Sequence, residues 1–404
     1  MSKFSIFNRQ LHQPSLMMLV AITTVNPMAL NMYVPSMPSV ERTFGSSPEL
    51  VQLTLTLPLV AISLIQLAIG PLSDQHGRRP VLLVGMILFC LGTIGCIIAP
   101  NIEFLIISRM VQVSGGAAGI VLSRAMVRDC FDSRQSASIL GYVTMGMAIA
   151  PMVSPAIGGL IDEYIGWRHS FQFALAVGLI VTFIAWYDLA ETNSNVGKTA
   201  GFSSLMNNFL VLSKIRDFWI YTIVSACVSA CFFIFLGGAP YVSSQILEIG
   251  SAEYGFYFIF VAGGYAFGNF LSGRYSMRFG QYQMILMGNV ATLAGILFIC
   301  LGFGLGYIHP LSLFLPMMLT GIGNGLVLPS TMAGTVSVRP DLAGTAAGLS
   351  GSIIMGMGAL GSFVVRPIMD GTIWPMLYLM LAVIISGLIV SIKIRLQDAQ
   401  PNQV

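Results

Sequence analysis

The sequence predicts an all-α integral membrane protein with twelve transmembrane helices in two pseudo-symmetric six-helix bundles, and three observations predict it. Of its 404 residues 55% are hydrophobic and only 9% charged, against about 25% charged in an average soluble domain, so charged side chains are too few to clothe a water-facing surface. The apolar residues fall into repeated blocks of about twenty, the length that crosses a bilayer as a helix. The basic residues gather in alternate loops between those blocks, as short loops retained on one side of a membrane do.

Apolar stretches bounded by charges, Gly or Pro place helices near 16–36, 50–70, 81–99, 103–125, 136–160 and 169–189, and six more near 218–241, 252–272, 282–304, 310–330, 342–366 and 373–394. The longest polar stretch lies between the two sets and holds Glu191, Asn193, Ser194, Asn195, Lys198, Asn207, Lys214 and Arg216. It divides the chain into a first bundle at 1–190, a linker at 191–217 and a second bundle at 218–404. The run from Leu16 follows Lys3 and Arg9 as a secretory signal would, but it is too long, has no small-residue cleavage site and precedes eleven similar runs, so it reads as the first anchor.

With the N-terminus inside, the cytoplasmic segments hold Lys3, Arg9, Arg78, Arg79, Arg128, Arg134, Lys198, Lys214, Arg216, Arg274, Arg278, Arg339, Lys393 and Arg395. The outer loops keep Arg42 and Arg168, with Arg366 at a helix end. A missed helix would invert every later loop, so this asymmetry predicts an even helix count with both termini cytoplasmic. The net charge of +3 and the lack of a long basic cluster exclude nucleic acid as a partner. Cys90, Cys96, Cys130, Cys227, Cys231 and Cys300 lie mostly in apolar blocks, with neither a disulfide framework nor paired zinc-ligand spacing, and read as small packing residues. No HExxH, GxSxG or clustered His/Asp set suggests an enzyme. No metal site or cofactor is expected, and lipid is the solvent for most of the chain.

The turn after the second helix reads Gly70-Pro-Leu-Ser-Asp74-Gln-His-Gly77-Arg78-Arg79, and the turn after the eighth, Ser272 to Gly280, is again short and carries Gly and Arg, as internal duplication leaves it. A basic topogenic turn would need only Arg78 and Arg79. Two glycines permit a tight turn, and Asp74 four residues before Arg78 supplies a pairable charge. The arrangement resembles the cytoplasmic signature of the major facilitator superfamily, which implies a charge relay with helix-end contacts that latches two halves.

In the fifth helix Gly146, Ala150, Ser154 and Gly158 form a stripe at spacing four, with Pro151 and Pro155 removing backbone donors and Gly158-Gly159 closing the segment. Close packing alone would account for the stripe. The whole run resembles the helix-five motif of the drug:proton antiporter group, with Ala150 where that motif usually has Gly. The fourth helix carries Arg109 with Gln112 and Gly116 on the same face. An arginine at that depth is a functional-site candidate; the simpler reading is that it snorkels outward toward Glu103. Ser108 to Asp129 resembles the helix-four signature of the superfamily, and that resemblance ties Arg109 to proton coupling.

The first helix ends in a polar, proline-interrupted segment, Asn26 to Pro38, which includes Asn31 and Tyr33. With Gly166-Trp167-Arg168 and the motifs above, it resembles the bicyclomycin-resistance (Bcr/CflA) branch of the antiporters over about residues 16–394. The resemblance implies a monomeric carrier of the bacterial inner membrane that exports small amphipathic molecules, multidrug or metabolite, by alternating access and draws on the proton gradient with no cofactor. It places Asn26, Asn31, Tyr33, Arg109 and Gln112 at the substrate and coupling site, with an Arg109–Asn31 hydrogen bond expected from their similar depth. Asn31 departs from the family, which usually has an aspartate there. An amide does not titrate near neutral pH, and Glu103, Asp162, Glu163, Asp188, Glu248, Glu253 and Asp370 all sit at or near helix ends. The alternative is therefore an uncoupled facilitator or importer of a small metabolite.

Overall fold

The computed structural model describes residues 14–131, 133–193, 196, 202–339 and 342–398. Lys3, Arg9, Ser194, Asn195 and Lys198 of the expected cytoplasmic segments lie outside the described residues. Thirteen α-helices account for the fold: α1 Leu16–Tyr33, α2 Met37–Phe44, α3 Pro48–His76, α4 Arg78–Ile98, α5 Ile102–Cys130, α6 Ser133–Ile165, α7 Arg168–Asp188, α8 Phe202–Ser213, α9 Arg216–Tyr241, α10 Ser251–Gly304, α11 Pro310–Ser337, α12 Ala343–Ile368 and α13 Trp374–Asp398. Ten helical stretches among the described residues are long and apolar enough to span a bilayer. One of these, α10, is 54 residues long and is interrupted at Gly280 (φ 80°, ψ 164°), which makes it two spans; α6, at 33 residues, supplies the remaining one. All twelve expected spans thus fall on helices, and the chain is a multi-pass membrane protein.

Local chemistry sets the helix ends. Ser15 Oγ accepts from Met18 N at 3.2 Å and Asn101 Oδ1 from Phe104 N at 2.9 Å, so the first turns of α1 and α5 have capped donors. The α3–α4 connection turns on Gly77 (φ 98°, ψ 151°), a backbone region that L side chains avoid. Gly280 holds nearly the same conformation at the matching place in the second half. Side chains such as Leu64, Val84, Ile98, Ile107, Phe183 and Phe270 are exposed on the outside of the bundle, where lipid covers them at no cost.

The packing repeats with the sequence. In the first half α1 packs on α5 and α6, and α4 on α5 and α7; in the second, α9 packs on α11 and α12, and the later part of α10 on α11 and α13. The halves meet chiefly along α3 with α12 and α6 with α10, two contacts that the duplication exchanges. Part of the expected linker is the helix α8, whose Leu212 is buried with Phe218 of α9 and Ala346 of α12. Arg78, Arg79, Arg128, Lys214, Arg216, Arg274, Arg278 and Arg339 lie at one end of the bundle, here termed the basic end; Arg42, Arg168 and Arg366 lie at the other.

Candidate functional site

Arg109 is fully buried, seven residues into α5, in the core of the first half. Its Nη1 donates to Gln112 Oε1 at 2.9 Å and to Ala29 O at 3.3 Å, and Nε donates to Thr54 O at 3.4 Å. The guanidinium carbon stands 4.5 Å from the Tyr33 ring centroid and 5.6 Å from that of Phe171, so two aromatic faces contribute cation–π attraction. Gln112 Nε2 passes the chain on to Thr93 Oγ1 at 2.9 Å, which donates to Phe89 O. Tyr33 donates to Thr54 Oγ1 at 2.5 Å, because the Thr54 hydrogen goes to Val51 O. Five helices therefore hold one cation, and every partner is a neutral dipole or a π face. Nη2 is buried with no partner.

This geometry decides between the readings of Arg109. Arg109 does not snorkel toward Glu103; it is seated among the helices of the first half. Nor does it bond Asn31, whose Nδ2 donates to Pro27 O at 2.8 Å. Ala29 and Tyr33 face Arg109, and Asn31, two residues from each, lies roughly 200° round α1 from both. Asn31 Oδ1 is buried without a partner, as is Asn26 Oδ1. Asn26 lies where α1 crosses Gly116: a Cβ on that glycine would stand 2.9 Å from the Asn26 Cβ.

The helix-five stripe serves two contacts. Gly146 packs against Val20, and Gly158 against the Met32 carbonyl, both on α1. Ala150, whose carbonyl accepts from Ser154 Oγ, continues the same face. Pro155 and Gly159 turn to the second half, where they meet Gly255 and Ser251 of α10. Pro151 interrupts the helix between these contacts.

At the basic end Arg78 pairs with Asp74 and with Asp129 Oδ2 at 3.0 Å, and donates to Ser73 Oγ at 2.5 Å. Glu191 accepts from the Arg78 and Arg79 amides at 2.8 and 3.1 Å, a carboxylate placed on the first donors of α4. Arg79 Nη2 donates to Trp186 O. Gly70 and Gly77 bound the turn, and a side chain at Gly77 would displace the Glu191 carboxyl. The Arg78 relay thus ties α3, α4 and α5 within the first half, where the sequence led us to expect a latch between halves.

The opposite end holds contacts that sequence reasoning missed. Asp162, the only buried carboxylate among the described residues, accepts from Ser39 Oγ at 2.8 Å and from Ser251 Oγ at 2.6 Å. Glu163 Oε2 accepts from Ala252 N at 2.9 Å, on the first turn of α10. Gln52 Nε2 donates to Ser362 O and Oγ, both at 2.8 Å. These bonds clasp the halves along both symmetry-related contacts. Beside the clasp a cavity of about 270 Å³ is lined by Arg42, Ser243, Glu248 and Tyr254. Asp162 was visible in the sequence only as one of several acids near helix ends. No group of three His, Cys, Asp or Glu side chains suited to a metal occurs among the described residues.

Residues 19–362 match the profile of the Major Facilitator Superfamily. The chain belongs to that superfamily. Relatives of this major facilitator protein include the chloramphenicol resistance protein of Pseudomonas aeruginosa, 29% identical over 89% of this chain and 86% of the relative. The bicyclomycin resistance protein homolog of Haemophilus influenzae is 28% identical over 90% and 92%, and multidrug resistance protein D of Escherichia coli 29% over 88% and 89%. A solved bacterial homolog of the human lysosomal transporter Spinster, inward-facing and unoccupied, shares the fold with a TM-score of 0.68 at 17% identity over 93% and 94% of the two chains. Superfamily membership makes the chain a transporter and not an enzyme.

Proposed function

We propose that this transporter exports small amphipathic molecules from the bacterial cytoplasm across the inner membrane by alternating access, acting as a monomer. The observation that carries the mechanism is the contact between halves: two helix pairs exchanged by the duplication, clasped at one end by hydrogen bonds that rocking can break and remake. The resistance names of the relatives supply the direction and the class of cargo. Basic side chains favour the cytoplasmic side, so the basic end and both termini face the cytoplasm and the clasped end faces out. In this reading Arg109 is a positioning residue that fixes α1, α3 and α5, while the Asn26 and Asn31 carbonyl oxygens, buried without partners on α1, become available to cargo only when that helix moves.

The test is drug accumulation in an efflux-deficient bacterium. Cells producing the protein should retain less chloramphenicol than cells without it, and Arg109→Ala, matched for membrane abundance, should restore full retention. Equal retention with and without the wild-type protein would remove the exporter reading.

Coupling to protons is what the family resemblance implies, and Asn31 favours an uncoupled carrier instead. Substrate-driven proton release from purified protein in detergent separates the two. An uncoupled carrier releases none, and Asn31→Asp creates the signal.

A further inference from the structure

A second arginine stands inside α5, about four turns from the first. Arg124 is half-buried and near enough to the Tyr265 phenol of α10, across the divide between halves, and to Arg128 one turn on for their charges to interact. Arg128 reaches the second half too, its Nη1 lying 3.4 Å from where a Cβ on Gly344 would stand, in the first turn of α12. Neither guanidinium makes an ion pair or a hydrogen bond to a described residue; the neighbouring Asp129 is taken by Arg78. Each arginine carries five N–H donors and no acceptor. Two like charges on adjacent turns repel, and the exposed start of α12 adds positive potential. Arg128 is exposed to water, so the cost falls on the half-buried Arg124, and an anion joining the pair from outside the chain would offset it.

We propose that Arg124 and Arg128, with the Tyr265 hydroxyl, form a loading site for an anionic group on the cargo, such as a carboxylate, sulfonate or phosphate monoester. The proposal rests on the exporter reading, which sets the basic end in the cytoplasm. It also accounts for Asn31. An anion leaving a cell whose interior is negative moves down the electrical gradient, so a carrier of anions needs no titrating carboxylate to extract work from protons. A topogenic role alone would be served by lysine as well as arginine at either position, and by either residue facing lipid headgroups. The structure instead turns both toward the second half.

Chloramphenicol and its hemisuccinate ester make a matched pair of probes, with one scaffold that differs by a carboxylate. The wild-type protein in detergent should bind the ester about tenfold or more tighter than the parent, as a charge-assisted forked contact provides. In Arg124→Gln and Arg128→Gln the ratio of the two affinities should fall toward one, and Arg124→Lys should keep part of it. In proteoliposomes an inside-negative potential should speed outward movement of the ester more than of the parent. If the wild type binds both compounds equally, or if Arg124→Gln weakens both by the same factor, the anion site is overturned and the exporter reading stands. Failure to bind or move either compound overturns both.

Discussion

The two halves carry the same scaffold and fill it with opposite chemistry. In the first, a Cβ on Gly85 would stand 2.8 Å from the Gly115 carbonyl; in the second, one on Gly288 would stand 2.8 Å from the Gly323 carbonyl. Seven residues on, Gly92 meets Gln112 and Gly295 meets Thr320. Three residues before those partners stand Arg109 and Met317, both fully buried. Around Arg109 run hydrogen bonds to Gln112, Ala29 and Thr54. The second half instead packs Phe314 against Phe235, Tyr254 and Tyr257 at centroid distances of 5.9, 5.5 and 5.6 Å. Such pairs each add about 0.5–1.5 kcal/mol beyond the area they bury. A fold that needed the cation for stability would have kept it twice. Its presence in one half alone fits the proposed role of Arg109 in transport.

Exchanging the two residues gives the largest expected effects. Met317→Arg places a charge at a fully buried position beside the aromatic cluster of Phe314, at a cost of several kcal/mol, and should leave little folded protein in the membrane. Arg109→Met should insert normally and lose transport to background. Its thermal midpoint in detergent should hold or rise, since the desolvation relieved offsets the bonds lost. A clear fall in that midpoint would show that the guanidinium is structural after all.

The glycines test whether the shared scaffold is equally tight on both sides. A Cβ on Gly92 would stand 2.6 Å from the Gln112 Cα and 2.8 Å from Ser108 O. On Gly295 it would meet a single backbone atom, Pro316 O at 2.7 Å, with the side-chain atoms Leu319 Cβ at 3.1 Å and Thr320 Oγ1 at 3.2 Å, whereas all three nearest atoms at Gly92 are backbone. Gly92→Ala should therefore cost about 2–3 kcal/mol and Gly295→Ala about 1 kcal/mol, within the range for overpacking, as read from unfolding in mixed detergent. Equal losses would mean that the second half is as rigid as the first.

The helices and their alternation were legible in the sequence, because the length of an apolar run and the placement of Lys and Arg are one-dimensional quantities. The glycine turn after α3 and its echo at Gly280 were legible for the same reason. The partners of Arg109 were not. Sequence gives its depth, and depth alone paired it with Asn31; the rotation of α1, which offers Ala29 and Tyr33 instead, is set by packing against α5 and α6. Asp162 was hidden because an acid near a helix end is ordinarily solvated, and only the arrival of Ser251 from the other half buries it. Arg124 carried a signal that was passed over: an arginine inside α5 whose neighbours at three and four residues are Val121, Val127, Ile120 and Arg128, with no acid among them.

The smallest expected effects lie at the clasp, where the two symmetry-related contacts again differ. Ser251→Ala removes a side-chain bond to the buried Asp162 carboxylate, worth about 1 kcal/mol, and should raise the open fraction of that end roughly fivefold. Ser362→Ala removes only the hydroxyl, and Gln52 keeps the Ser362 carbonyl at 2.8 Å, so opening should change less than about twofold. Ser243, buried beside the cavity at that end, reports both when it is replaced by cysteine and labelled with a membrane-impermeant maleimide. The chain's own six cysteines are buried or half-buried and set the background. If Ser362→Ala opens the end as far as Ser251→Ala, the halves part along α3 and α12 rather than α6 and α10, and the carboxylate is not the stronger hold.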